Sequence, residues 1–317
     1  MNLLSLASQI GMIAVFIGIG ALLHRMIDFQ ENVKKAFMTV LIYAAMPAII
    51  LDSIFQLPIT EDLLMQVLLV FAVSVLIQFS GIFIGWITFK IAKKPRQRRN
   101  ELAILSGLGN SGFLGIPICA LLFGPKGALL AAVFDMGLDV AIWTICIYML
   151  KGEEKFSWKP LKSMLNFPFM AMMTGLALAL LGFRPPQFIA ETLGILSGLT
   201  VPLAMIFIGL MLMQIVKSGN LTRMREVAGT LPLKLILLPS AVIMALFLLF
   251  QAGTALPWET AGVFMVQAAM PTFTFAAVIF IYCSADEELA ALACVSCTVC
   301  SLLTVPLIVS FVSWLLF

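Results

Sequence analysis

Long apolar stretches alternate with short polar connections along the whole chain. A helix needs about 20 mainly apolar residues to cross the roughly 30 Å hydrocarbon core of a bilayer. By that criterion the pattern predicts ten membrane-spanning helices, at residues 5–24, 36–56, 63–91, 101–123, 127–150, 163–182, 191–216, 230–251, 258–282 and 289–316. We therefore predict an all-α integral membrane protein.

The fourth predicted span contains a segment that a regular helix accommodates poorly. Residues 109–117 (GNSGFLGIP) include three glycines and a proline. In a helix interior each Gly costs about 1 kcal/mol relative to Ala, and Pro costs about 3. Two interpretations stay open. The helix is broken near mid-bilayer, at Gly109, Gly115 and Pro117, and presents bare backbone to a substrate or ion. Alternatively, it is only kinked at a packing contact.

Prolines recur at a nearly constant offset in the two halves of the chain. Pro117 and Pro271, in the fourth and ninth spans, are 154 positions apart, and Pro47 and Pro202, in the second and seventh, are 155 apart. Each half holds five spans, an odd number, so the second half must lie upside down relative to the first. Two inverted five-helix repeats with interrupted, crossing fourth and ninth helices are typical of secondary transporters.

Basic residues indicate the orientation of these repeats. All but two of the 19 lysines and arginines follow odd-numbered spans, and only Lys126 and Arg184 lie on the opposite side. The positive-inside rule then places both termini outside the cytoplasm, in a multi-pass protein of the plasma membrane. The predicted organisation is a first repeat at 1–150, a cytoplasmic connection at 151–162 and a second repeat at 163–317.

Composition supports this class and argues against others. The chain is 62% hydrophobic and 11% charged, whereas soluble domains are about 25% charged. The net charge of +3 reflects topology signals rather than nucleic-acid binding. No Walker-type loop, Gly-x-Ser-x-Gly elbow or paired-histidine motif is present, so we predict neither an enzyme nor a cofactor. The six cysteines all fall in apolar segments and are predicted to be free thiols.

Two carboxylates lie inside the fifth predicted span. Asp135 and Asp139 are four residues apart and therefore share one helix face. An intramembrane carboxylate is costly and marks a functional site by default, and protonation relieves the cost, so both are candidates for proton or cation coupling. Asp135 can alternatively be hydrated near the end of its span. Gln78, in the third span, either lines the same cavity or bonds across helices.

The ninth span repeats the features of the fourth. Pro271 frees the carbonyl of Gln267, one turn back, as Pro117 does near Asn110. Two crossing, broken helices bring four half-helix ends together, whose amino ends attract anions and whose carbonyl ends attract cations. The candidate substrate- or ion-binding residues are Asn110, Ser111, Gly112, Gln267 and Thr272.

Three stretches resemble the auxin efflux carrier family in its compact bacterial form. They are residues 109–117, residues 200–204 (TVPLA) and residues 270–307, from Met-Pro-Thr to Thr-Val-Pro-Leu. The resemblance implies ten helices in two inverted repeats, scaffold and transport domains that each draw on both repeats, and proline-broken fourth and ninth helices. It also implies a fold similar to that of bile-acid:sodium symporters, transport of organic anions such as malate, malonate or auxin, and a homodimer.

Together these features predict a secondary active transporter of a small organic anion that works by alternating access. We expect coupling to a cation, with H⁺ favoured over Na⁺. Two alternatives are an uncoupled anion channel and a membrane-embedded sensor that binds the anion without moving it.

Overall fold

The computed structural model describes residues 3–26, 31–151, 166–218, 224–254 and 256–316. Within these ranges the chain is helical and contains no β-strand, so the predicted all-α class is confirmed. The predicted connection at 151–162 lies outside the described residues, apart from Lys151.

Helices are numbered in chain order. They are α1 (Leu3–Leu23), α2 (Glu31–Val40), α3 (Met46–Gln56), α4 (Glu61–Ile91), α5 (Arg96–Gly107), α6 (Ile116–Ala141), α7 (Ile147–Lys151), α8 (Phe167–Leu180), α9 (Gln187–Ser218), α10 (Met224–Val227), α11 (Thr230–Pro232), α12 (Leu238–Gln251), α13 (Trp258–Ala268), α14 (Ala276–Tyr282) and α15 (Glu287–Leu316). Wider π-helical turns occur at Leu41–Ala45, Ser111–Gly115, Ile142–Cys146 and Leu233–Leu237.

Six helical stretches within the described residues are long and apolar enough to cross a bilayer. They are Lys35–Gln56, Glu61–Ile91, Ser111–Lys151, Gln187–Met211, Met224–Gln251 and Glu287–Ile308. Shorter apolar helices cover Gly11–Leu23 and Phe167–Leu180.

The longest of these stretches bends sharply about a third of the way along its length. Ser111–Lys151 holds 41 residues, which as one straight helix would measure roughly 60 Å, twice the hydrocarbon thickness. Gly124 adopts φ 65° and ψ −154°, a conformation that residues with a Cβ rarely reach, and Pro125 follows it. Past the bend, Gly127 packs directly on the backbone of Cys119. The stretch therefore folds back between the predicted fourth and fifth spans.

Two interruptions of helical structure meet inside the protein. The first separates α5, which ends at Gly107, from the π-helical turn that starts at Ser111. The second separates α13, which ends at Ala268, from α14, which starts at Ala276. Gly109 and Thr272 form an isolated antiparallel bridge, so the two interruptions cross each other.

The four predicted helix-breaking residues lie in different parts of the structure. The first interruption covers residues 108–110 and so contains Gly109, but Gly115 closes the π-helical turn and Pro117 lies at the start of α6. A proline lacks an N–H, and its ring crowds the carbonyl four residues back in a regular α-turn. The wider π-turn just before Pro117 changes that local geometry, so the helix continues through it. Pro271, in contrast, lies within the second interruption.

Helices α1 and α9 approach each other closely through glycine. A Cβ at Gly20 would collide with the backbone carbonyl of Ile206, and one at Gly209 would collide with the carbonyl of Ile17. Small residues permit this kind of close backbone approach between membrane helices. The contact joins helices from the two halves of the sequence.

We expect Gly20→Ala to lower the melting temperature of the purified protein, because overpacking a tight contact costs about 1–3 kcal/mol. Gly18→Ala is the matched control on the same helix, since no described residue from another part of the structure lies within 4 Å of the added Cβ. Thermal unfolding in detergent compares the two variants. Equal melting temperatures would contradict the close α1–α9 contact.

Candidate functional site

The two interruptions satisfy each other's backbone groups. The Asn110 N–H donates to the carbonyl of Pro271 at 2.6 Å. The fully buried hydroxyl of Thr272 donates to the carbonyl of Leu105, near the end of α5, at 2.8 Å. Backbone groups inside a bilayer must find partners within the protein. The crossing therefore supplies the partners that both helices lost when they were interrupted.

Asn110 fixes the crossing with its side chain as well. Its Oδ1 accepts from the Phe113 N–H at 3.2 Å, which caps the helical segment that begins at Ser111. Its Nδ2 donates to the Thr274 hydroxyl, in the other interruption, at 2.6 Å. One buried amide thus caps one half-helix and holds the opposite segment.

Asp135 lies against the start of this half-helix. The Ser111 hydroxyl donates to Asp135 Oδ1 at 2.6 Å. A Cβ at Gly112 would lie 2.8 Å from Asp135 Oδ2, so a glycine makes room for the carboxylate. Ser111, Gly112 and Asp135, identified separately from the sequence, form one contact.

Asp139 is held from the other half of the chain, by a residue that the sequence analysis missed. The Asn166 Nδ2 donates to Asp139 Oδ2 at 2.7 Å, and the Asn166 Oδ1 accepts from the Phe169 N–H at 2.9 Å. Asn166 is therefore the N-cap of α8. The sequence carried a signal for it, because Asn followed by a proline at the second helical position, Pro168, marks a helix start.

A cavity of about 280 Å³ opens beside the crossing. Its polar lining consists of Asn110, Gly112, Asp135, Asp139, Asn166 and Thr274. Trp143, Phe273 and Phe275 contribute aromatic walls. A concave, mostly apolar cavity with a few converging polar groups is the usual form of a small-ligand site. We call it the aspartate cavity.

Gln267 and Thr272 lie at the crossing but do not line the aspartate cavity. The Gln267 Nε2 donates to the carbonyls of Ser111 and Ala131 at 3.3 and 3.4 Å, and its buried Oε1 has no hydrogen-bond partner among the described residues. Both side chains form hydrogen bonds between the two interruptions, outside the aspartate cavity. Gln78 is buried in α4 and also lies outside the cavity lining.

Lys234 is buried, although the sequence led us to expect it at the cytoplasmic surface. It was counted as a cytoplasmic topology signal, yet its side chain is 1% exposed. A Cβ at Gly109 would lie 2.8 Å from Lys234 Nζ and 3.4 Å from the carbonyl oxygen of Met270. Within the described part of the chain this ammonium forms no ion pair with a carboxylate. The sequence did contain a feature that could have predicted this burial. Lys234 lies inside the predicted span at 230–251, and an ionisable residue within a membrane span marks a functional site.

The ammonium lies near the carbonyl ends of two helices. α5 and α13 both end at the crossing, and the carbonyl end of each carries roughly half a negative charge. Two such ends sum to about one negative charge, which one lysine offsets. Cys297 adjoins the same point, where its sulfur accepts from the Thr272 N–H at 3.4 Å.

The three glycines of residues 109–117 therefore have the same structural role, which is to let a polar side chain approach the backbone closely. Each stands where a polar side chain needs the space of a Cβ: Lys234 at Gly109, Asp135 at Gly112 and Gln267 at Gly115. The spacing of three residues reflects these close approaches as much as any break of the helix. No group of three or more potential metal ligands occurs among the described residues.

Comparisons with known proteins all find similarity to membrane transporters. Residues 8–158 and 154–309 match the family model described as membrane transport protein. The chain is 27% identical over 302 residues to an uncharacterised transporter of Methanothermobacter thermautotrophicus, which covers 93% of this chain and 94% of that protein. A 197-residue match at 32% identity to an uncharacterised transporter of Methanocaldococcus jannaschii covers 58% of this chain and 61% of that protein. A Rhizobium meliloti protein named "Putative malonate transporter" is 25% identical over 293 residues, 85% of each chain.

We expect Gly115→Ala to destabilise the crossing by about 1–3 kcal/mol, because the new methyl group would displace the Gln267 amide. In a Gln267→Ala background the same change should cost less, since the obstructing side chain is gone. Thermal unfolding of the wild type, both single variants and the double variant measures this coupling. Additive effects would show that the two residues do not meet.

Proposed function

Because the chain belongs to the membrane transport protein family, that of the auxin efflux carriers, we propose that it is a secondary active transporter of small organic anions. The crossing of two interrupted helices beside the aspartate cavity is the observation that carries the proposal. A dicarboxylate such as malate or malonate fits the size of the cavity, and the name of the Rhizobium meliloti relative favours malonate. An auxin-like monocarboxylate is the second substrate class.

We propose that ten spans form the two inverted repeats, at 1–150 and 163–317. Contacts between equivalent elements support this arrangement. The Thr200 hydroxyl, beside Pro202, donates to the carbonyl of Ala45, beside Pro47, at 3.0 Å. Gly109 likewise pairs with Thr272. Equivalent spans of inverted repeats meet in this way around a pseudo-two-fold axis in the membrane plane.

The anion would bind at the amino end of the half-helix that begins at Ser111. Backbone N–H groups and the helix dipole favour negative charge there. The Asn110 amide and the Thr274 hydroxyl face the same cavity. Gln267 and Thr272 would act indirectly, by holding the two interruptions in register.

Coupling to protons follows from the charges that share this cavity. Asp135 and Asp139 line it together with the proposed anion site. Like charges a few ångströms apart in a poorly solvated cavity repel strongly. An organic anion would therefore enter together with protons that neutralise these carboxylates, so each substrate molecule would carry protons across.

Lys234 favours protons over sodium as the coupling ion. A sodium ion would seek the carbonyl ends of the interrupted helices, where unwound backbone coordinates cations in other transporters. The Lys234 ammonium already lies at the ends of α5 and α13. The protein would then carry a resident cation at that position.

We propose alternating access as the transport cycle, in a cytoplasmic membrane with both termini outside. Positive charge supports this orientation, although Lys234 no longer counts toward it. The first test is uptake of radiolabelled malonate and malate into proteoliposomes, under proton and sodium gradients imposed separately. Accumulation driven by the pH gradient alone is the expected result. Flux without accumulation would indicate a channel, and saturable binding without flux would indicate a sensor.

We expect Asp139→Asn to abolish accumulation of malonate driven by a pH gradient while exchange of internal for external malonate persists. The variant keeps an acceptor for the Asn166 amide but cannot carry a proton. Asp52→Asn is the control, because Asp52 bonds to Gln56 on α3, away from the cavity. Accumulation at the wild-type level in Asp139→Asn would exclude this residue from coupling.

We expect Asn110→Ala to reduce malonate uptake at least ten-fold. Hydrogen bonds to a charged group contribute about 1.5–3 kcal/mol, which corresponds to roughly a ten-fold loss or more. The lost cap should also lower stability by about 1 kcal/mol, so melting temperature is measured in parallel. Gln56→Ala, outside the cavity, is the control. Normal uptake in a folded Asn110→Ala variant would remove Asn110 from the site.

A further inference from the structure

A second concave site lies away from the crossing, where α4 ends and α5 begins. It is a groove of about 390 Å³. Its polar side is formed by Arg96 and Arg99, its rim by Trp86 and Tyr148, and its apolar side mainly by Phe79 and Phe83. We call it the arginine groove. None of these residues lines the aspartate cavity.

The positive charge in this groove is not compensated by described residues. The neighbouring Arg98 pairs with three carboxylates: Glu101 at 3.1 Å, Glu226 at 3.5 Å and Asp286 at 3.0 Å. Neither Arg96 nor Arg99 forms an ion pair within the described ranges. The contrast along one helix shows that the available carboxylates are directed to Arg98 and away from the groove.

Arg99 is held in place, and one of its N–H groups has no acceptor among the described residues. Its guanidinium carbon lies 4.7 Å from the ring centre of Trp86, and Lys90 approaches the same ring at 4.9 Å. Within the part of the chain that the structure describes, the buried Arg99 Nε has no hydrogen-bond partner. Buried polar atoms are nearly always bonded, so this N–H on a fixed guanidinium is a donor that a further acceptor would satisfy, and an anionic acceptor bonds most strongly to it.

The apolar side of the groove indicates what kind of anion fits. Ile82, Phe83 and Phe79 lie one to two helical turns along α4 from Trp86, on the side away from the charged α4–α5 connection. Phe83 is 60% exposed and Tyr148 44%, so the groove is open along its side. Tryptophan and tyrosine are enriched at the depth of lipid head groups. Charged groups at that depth with an apolar surface below match a phospholipid.

We propose that the arginine groove binds an anionic phospholipid. Arg99 and Arg96 would hold the phosphate, and an acyl chain would lie along Phe83 and Phe79. Planar guanidinium groups match phosphate geometry through paired N–H donors, as lysine cannot. The site does not depend on the transported anion. It adjoins the first turns of α5, whose other end reaches the crossing.

Native mass spectrometry of the full chain in detergent tests this site directly. Phosphatidylglycerol and phosphatidylcholine with identical acyl chains are titrated into wild type, Arg96→Gln/Arg99→Gln and Lys93→Gln/Lys94→Gln. The last variant removes the same charge from exposed residues outside the groove. We expect wild type to prefer phosphatidylglycerol, and the arginine variant to bind it about 25-fold more weakly, because each of the two basic side chains contributes about five-fold. The lysine variant should stay within a few-fold of wild type.

Several results would overturn the proposal. Equal losses in both double variants would indicate general electrostatic attraction, and equal binding of the two lipids would indicate that charge is not recognised. Displacement of the lipid by millimolar inorganic phosphate would make a soluble anion the ligand. Loss of malonate binding in the arginine variant would assign the groove to the transport path instead.

Two further measurements keep the test independent of folding defects. Melting temperatures establish that each variant is folded, and Arg99→Lys, which keeps charge but not the planar fork, should bind the lipid with intermediate affinity. Phosphatidylglycerol brominated on its acyl chain should quench Trp86 fluorescence, seen as the difference between wild type and Trp86→Phe. An unquenched Trp86 would place the acyl chain elsewhere and contradict the proposal.

Discussion

The need to pair every backbone polar group inside a bilayer governs the centre of this protein. An unpaired backbone group in an apolar environment costs several kcal/mol. The chain nevertheless interrupts helical structure twice at its core. It does so because the two interruptions cross and bond to each other, through Asn110 to Pro271 and through Thr272 to the end of α5. Neither interruption could exist alone, so the crossing depends on both halves of the sequence.

The crossing has two electrically different sides. On one side Asp135 meets the amino end of a half-helix, in a cavity shared with Asp139 and Asn110. On the other side Lys234 lies near the carbonyl ends of α5 and α13. Each charge has the sign that the adjacent helix end favours, anionic at the amino ends and cationic at the carbonyl ends. In the transport cycle that we propose, one anion and its protons would occupy one side while the charge on the other side stays offset.

The arginine groove, at the other end of α5, also holds a charged side chain with an N–H group that the described residues leave unpartnered. Arg98 pairs with three carboxylates, whereas Arg99, the next residue, stacks on Trp86 and has an Nε without an acceptor among the described residues. α5 connects this groove to the crossing over twelve residues. The helix that carries half of the central interruption therefore begins where we propose that a lipid phosphate binds.

The sequence by itself determined the class of the protein and the position of its centre. Apolar runs of membrane-spanning length and the unusual composition of residues 109–117 are local properties, so they could be read directly. The paired aspartates were also visible, because an ionised group in an apolar helix is costly wherever its helix packs.

Only the tertiary structure decided which of these residues meet. Pro117 continues a helix because a π-turn precedes it, and Gly115 makes room for Gln267, 152 positions later. Lys234 looked like a surface charge because sequence order does not report which way a helix faces. Asn166 reaches Asp139 across the central connection. These outcomes depend on the packing of segments far apart in the chain, which local patterns of hydrophobicity and charge do not encode.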